Sequence, residues 1–217
     1  MRYKFLILFG VLTFIGCNPN KTNTAIVPEK SELTIDHPSY STLAKELEQI
    51  AVEDQTLRLM LPDVEERFGI GSSQEKYIWS LIQKQDSICL MKTLKILDKY
   101  GWLGKSRVGN TANQALWLVI QHAELEAQEK YLPILKESVE MGESEGWHLA
   151  LLEDRILMRN KKNQIYGSQA TWDKTSGKMK IYPIDNVKNV NKRREEIGLD
   201  PIEDYAKMHG YIFDQKN

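Results

Sequence analysis

Trp147-His148-Leu149-Ala150-Leu151-Leu152-Glu153-Asp154-Arg155-Ile156-Leu157-Met158, a basic turn over residues 159–163, and then Gln164-Ile165-Tyr166-Gly167-Ser168-Gln169 form the stretch that decides how this chain is read. Its first half predicts a helix whose inward stripe runs Trp147, Leu151, Asp154, Met158, stepping by four, three and four. A carboxylate therefore stands where the pattern asks for an apolar side chain. The second half predicts a short extended segment in which Gly167 lets backbone approach closely between two glutamines and a tyrosine.

Working towards the N-terminus, Ser144 is expected to cap this helix, and Gly142 to end the one before it, over residues 125–141 with a bend near Pro133. An earlier helix begins at Asn110 or Thr111 and carries His122 on or beside its inward stripe with Ala112, Ala115 and Val119. Ser72 or Ser73 starts a long helix to about Lys99, with Tyr77, Ile78, Leu81, Ile82, Ile88, Met91, Leu94 and Leu97 as its apolar positions. The first helix starts at Ser41 or Thr42 and keeps the stripe Leu43, Leu47, Ile50, Asp54, Leu57, Leu61 until Pro62 ends it. Gly69-Ile70-Gly71 follows no strand and reads as a loop.

Working towards the C-terminus, Asp173 to Gly177 is a turn, and Met179 and Ile181 alternate on the returning strand, so a hairpin is expected. A helix follows through Ile197, and Pro201 starts a last one through Met208. The fold class is mainly α, with about six to seven helices and one small antiparallel β-hairpin. Lys188, Lys192, Arg193 and Arg194 read as a solvated helix face, because Glu195 and Glu196 follow them directly.

The N-terminus carries a different kind of message. Arg2 and Lys4 precede an apolar run from Phe5 to Ile15, and Gly16 precedes Cys17, which predicts a lipoprotein signal peptide over residues 1–16. The ending Thr13-Phe14-Ile15-Gly16-Cys17 resembles a bacterial lipobox, with Phe14 where leucine is usual. That resemblance implies cleavage before Cys17, lipidation of its thiol, and partnership with a membrane at the cell envelope. Residues 17–40, rich in Asn, Thr, Pro, Lys and Ser, read as a tether, and residues 41–217 as a single globular domain.

Composition, 41% hydrophobic and 27% charged, suits such a domain. Of the 2 cysteines, Cys17 would carry lipid, leaving Cys89 without a disulfide partner. Flanked by Ile88 and Leu90, Cys89 reads as a small buried hydrophobe rather than a nucleophile. Losing Arg2 and Lys4 takes the 29 basic residues to 27 against 30 acidic ones, a balance of −3, which argues against a nucleic-acid partner.

Asp54, His122 and Asp154 each interrupt an apolar stripe. Burying one charge alone costs several kcal/mol, so the three are expected to share polar company. The candidates are Gln55, Arg58, Gln121, Arg155, Gln164, Tyr166 and Gln169. In addition, Asp54-Gln55 with Arg58, Gly101-Trp102, Val108-Gly109, Gln121-His122-Ala123, Asp154-Arg155, Gln164, Tyr166-Gly167-Ser168-Gln169, Arg194, Gly198-Leu199 and Tyr205 run in an order that resembles a bacterial domain family of unknown function, numbered six-six-two-four. The departures are Leu103 for proline, Glu124 for aspartate and Ser168 for threonine. The resemblance implies that these residues act as one set, and it carries no activity with it.

Three readings follow. The set is a buried structural network; or it is a pocket in which an arginine grips a carboxylate or phosphate while Gln164, Tyr166 and Gln169 read a small polar or anionic ligand; or it is a hydrolase-like site with His122 as general base and Asp54 or Asp154 orienting it. No G-x-S-x-G elbow, phosphate loop, dinucleotide fingerprint or clustered-cysteine pattern occurs, so neither a cofactor nor a metal is expected.

Overall fold

The computed structural model describes residues 38–215, which form one unit, and the predicted signal peptide, Cys17 and nearly all of the tether lie outside the described residues. None of the described helices is long and apolar enough to cross a membrane. The fold is mainly α with one two-stranded antiparallel sheet, as the patterning predicts.

Helix α1 (Tyr40–Leu59) is capped by Ser39, whose side chain accepts from the Thr42 amide, so the domain starts slightly before the expected Ser41. Its buried side is Leu43, Leu47, Ile50, Ala51 and Asp54. Pro62 does not simply end the helical path, because it occupies the first turn of a further helix, α2 (Leu61–Phe68), where a missing N–H costs nothing. Helix α3 (Ser73–Tyr100) opens with a reciprocal cap. Ser72 accepts from the Glu75 amide, and the buried Glu75 carboxylate accepts from the Gly71 amide.

The inward side of α3 is Ile82, Cys89, Thr93, Ile96 and Leu97, whereas the expected apolar positions Tyr77, Ile88 and Met91 are exposed. Two interleaved series share this helix. The one that packs is the one that meets α1, α2 and α5.

A single turn, α4 (Lys105–Val108), leads through Gly109 into α5 (Asn110–His122), almost wholly buried from Ala112 to Gln121. No bend joins α5 to α6 (Leu125–Glu140) at Pro133, which lies inside α6. The chain breaks earlier, at the extended Ala123, whose carbonyl accepts from Arg159 Nη1 at 2.8 Å. Helix α7 (Gly146–Arg159) follows. The expected cap, Ser144, is used elsewhere: its buried hydroxyl meets Trp102 Nε1 at 3.1 Å, Asn113 Nδ2 at 3.0 Å and Ser138 Oγ at 2.8 Å. It ties the loop before α7 to α5 and α6.

Strands β1 (Ala170–Asp173) and β2 (Lys178–Ile181) pair with Ala170 opposite Ile181 and Trp172 opposite Met179. A lone hairpin is marginal, and this one gains its stability by laying Ala170 and Ile181 on Ile184, Val190, Ile202 and Ala206. The last two helices, α8 (Val190–Glu196) and α9 (Ile202–His209), complete that small core. The basic cluster is not a solvated face throughout. Arg194 is buried and donates to the carbonyls of Asp200 and Tyr166, and Arg193 donates to those of Ile165, Asp185 and Asn186.

Candidate functional site

The polar residues predicted from the apolar stripes collect in two nests. The first is built on Asp154, fully buried in α7. Its Oδ1 accepts from the amides of Ile165 at 2.7 Å and Tyr166 at 3.0 Å, and its Oδ2 from the Ser168 amide at 2.9 Å. Burial pushes this carboxyl up from its ordinary range while the three amides act in the opposite sense.

The loop that Asp154 grips is held from every other side. Gln164 Oε1 accepts from the Gln169 amide at 2.9 Å, and its Nε2 donates to the carbonyls of Gln169 and Tyr182. Arg194 Nη1 donates to the Tyr166 carbonyl at 2.7 Å, and the Tyr205 hydroxyl to that of Ser168 at 2.9 Å. Gly167 sits at φ +76°, where a Cβ would lie 2.7 Å from the Cδ1 atoms of both Ile184 and Ile202. Only glycine meets both demands. Tyr166 is part-buried, and burial and the nearby Glu153 push its phenol up to about 12.

A buried chain of amides leads away from this nest towards α5. Gln169 Nε2 donates to Ser168 Oγ at 3.0 Å and to the Leu151 carbonyl at 3.3 Å. The Gln121 side-chain oxygen, in the orientation its neighbours require, accepts from Arg155 Nε at 2.6 Å and Nη2 at 3.2 Å. Gln121, Arg155, Gln164 and Gln169 are all buried. Their polar atoms are directed at one another and at backbone, which is the geometry of an interior network.

The second nest lies where α1, α3 and α5 meet. Asp54, buried in α1, contacts His122 Nδ1 at 3.1 Å. An ionised carboxylate can only accept, so Nδ1 is the donor in this contact. His122 closes α5, its side chain is 15% exposed, and among the described residues no hydrogen bond reaches Nε2. Gln55 Nε2 donates to Asp54 Oδ2 at 2.6 Å. Burial pushes the Asp54 carboxyl up, but His122, Arg58 and Gln55 together outweigh it and hold the group below its ordinary value.

Arg58 makes the i,i+4 ion pair with Asp54 that its spacing predicts, with Nη1 3.8 Å from Asp54 Oδ2, but does not put its fork there. Instead it forks onto Asp86 of α3, with Nη1 to Oδ1 at 2.8 Å and Nη2 to Oδ2 at 2.9 Å, and caps the Asp54 carbonyl at 3.1 Å. Asp86 was missed in the sequence reading, though a signal existed. Ile82, Asp86, Cys89, Thr93 and Ile96 step by four, three, four and three, a fourth polar interruption of an apolar stripe. Beside it, burial pushes the Cys89 thiol up, away from the thiolate a nucleophile would need.

Asp54 and His122 therefore meet, and Asp154 serves a different set of partners. One oxygen each of Asp54 and Asp86 and one ring nitrogen of His122 lie within 4.8 Å of one another. Arg58, locked on Asp86, is not available to grip an anion.

A mainly helical domain in which one buried carboxylate holds the loop before a hairpin, and an Asp–His pair lies at a junction of three helices, is the class this geometry defines. The model of a family of unknown function, DUF6624, matches residues 44–216, and the chain belongs to that family. Nothing among curated proteins or solved structures matches the chain.

Proposed function

We propose that this protein is a lipid-anchored envelope module whose Asp54–His122 corner binds a small polar ligand. The observation that carries the reading is the fixed imidazole: Asp54 holds Nδ1, and Nε2 stays part-exposed with no partner among the described residues. Two carboxylates, Asp54 and Asp86, face one guanidinium that is already forked onto Asp86, so the corner favours a hydrogen-bond donor such as a sugar hydroxyl or an amine over an anion. Among the other binding candidates, Gln121, Arg155, Gln164 and Gln169 are buried and hydrogen-bonded, and Tyr166 belongs to the loop held by Asp154, which concentrates the reading on Gln55, Arg58, Asp86 and His122.

The same geometry supports a second reading, a hydrolase-like site. An imidazole oriented by a buried carboxylate has its free nitrogen ready to take a proton from water or a substrate hydroxyl. Thermal-shift screening of the full chain against neutral sugars and amines, with p-nitrophenyl ester turnover run in parallel, tests both. Binding predicts a melting-temperature rise that His122→Gln loses while staying folded. Catalysis predicts turnover lost in the same variant. No shift and no turnover in the unmodified chain overturns both readings.

The address is a separate proposal, supported by the lipobox-like Phe14-Ile15-Gly16-Cys17. Cys17→Ser is expected to move the protein from membrane to soluble fractions, and unchanged membrane association would refute lipid anchoring through that thiol.

A further inference from the structure

We propose that Asp54, Asp86 and His122 form a binding site for one divalent transition-metal cation. The inference rests on the reading of this corner as a binding site and names a class of ligand for it, departing from the expectation that the chain takes no metal.

Three observations carry it. The donor atoms come one each from α1, α3 and α5 and lie within 4.8 Å of one another. Ligand bonds of about 2.0–2.2 Å place donors about 3–4 Å apart, so donors as far as 4.8 Å apart must approach by about 1 Å, a movement shared among three side chains. The donors are two carboxylate oxygens and an imidazole nitrogen; binding through Nδ1 exchanges its hydrogen bond to Asp54 for the ion and releases that proton to solvent, and the set suits zinc, manganese or ferrous iron better than calcium or magnesium.

Charge points the same way. Asp54 is 1% exposed, and with Asp86 it sets two negative charges against the single guanidinium of Arg58. A cation between them offsets the remainder. The neighbours already do what outer partners of a metal site do: Arg58 forks onto Asp86, and Gln55 holds Asp54 Oδ2, each leaving lone pairs on the carboxylate oxygens. Three protein ligands would leave a coordination position for water, next to the part-exposed edge of His122.

The test is calorimetric titration of the full chain, purified in detergent and stripped with a chelator, with zinc chloride and separately with manganese chloride. One saturable equivalent is expected. Asp86→Asn and His122→Ala should each weaken it at least tenfold, because each removes a ligand. Glu53→Gln, which removes a neighbouring acid paired with Lys92 outside the set, should leave it unchanged. Circular dichroism of each variant separates loss of binding from loss of fold, and Asp86, 24% exposed, tolerates exchange better than Asp54. No saturable uptake by the unmodified chain overturns the proposal, as does uptake undiminished in both ligand variants. If uptake fails while a neutral sugar or amine still shifts melting through His122, the metal alone is refuted and the polar pocket stands.

Discussion

Asp154 and Asp54 are both buried aspartates that interrupt an apolar helix stripe, yet their surroundings differ in kind. Asp154 is met by three backbone amides of one loop, and everything around that loop is satisfied in turn. Asp54 is met by side chains alone, His122, Gln55 and more loosely Arg58, and among the described residues the chain of contacts ends at the His122 Nε2 atom. A carboxylate that collects amides fixes a backbone path. One that collects ionisable side chains fixes their protonation and aim. The same sequence signal, a charge in a greasy stripe, therefore marks fold-holding in one place and a candidate for chemistry in the other.

The largest effect expected from this contrast is at Asp154. Asp154→Ala leaves one buried and two part-buried amides without their acceptor, each costing about 1–3 kcal/mol when buried, so the loss is several kcal/mol and a large part of a typical domain's stability. Asp154→Asn retains one acceptor oxygen and should fall between the two. Urea unfolding monitored by circular dichroism measures both. If Asp154→Ala unfolds at the same urea concentration as the parent chain, the loop is not held as described and the division into two nests fails.

That division was only half legible in the sequence. The stripe of α1 is legible because Leu43, Leu47, Ile50 and Asp54 form its single consistent series. In α3 two series overlap, and the choice of Ile88 and Met91 over Asp86 and Cys89 hid the partner of Arg58. Pro62 looked like a terminator because a proline that stops one helix and one that starts the next are identical in sequence. Gln164, Gly167 and Gln169 were picked out by residue type, but their role was not readable. Their partners are mostly backbone groups, which every residue carries and no pattern reveals.

A smaller effect, at His148, separates acid sensitivity above about pH 4 from the carboxylate nests. His148 lies six positions before Asp154 in α7 and is as fully enclosed, but it has no hydrogen-bond partner at either ring nitrogen. It stacks on Trp117 with centroids 4.7 Å apart, and burial, with the charge of Lys105, pushes it down to about 3 from 6.5. Between those two values the unfolded chain takes up a proton that the folded chain refuses, so stability falls as the pH is lowered through that window, at about 1.4 kcal/mol per unit. Taking the folded domain to roughly pH 4 should therefore cost about 3 kcal/mol through this residue alone. Asp54 acts elsewhere on the scale. Its carboxyl is depressed in the folded state, so its contribution is present above the ordinary aspartate value of 3.8 and fades only as the pH falls below it. His148→Phe keeps the stack and loses no hydrogen bond, so stability at neutral pH should stay within about 1 kcal/mol of the parent, while most of the slope between pH 6.5 and 4 disappears in urea titrations. A slope that survives the exchange would refute this role for His148 and assign the window to another imidazole pushed down by burial, such as His209, because Asp54 loses nothing above 3.8 and the raised carboxyl of Asp154 acts in the opposite sense.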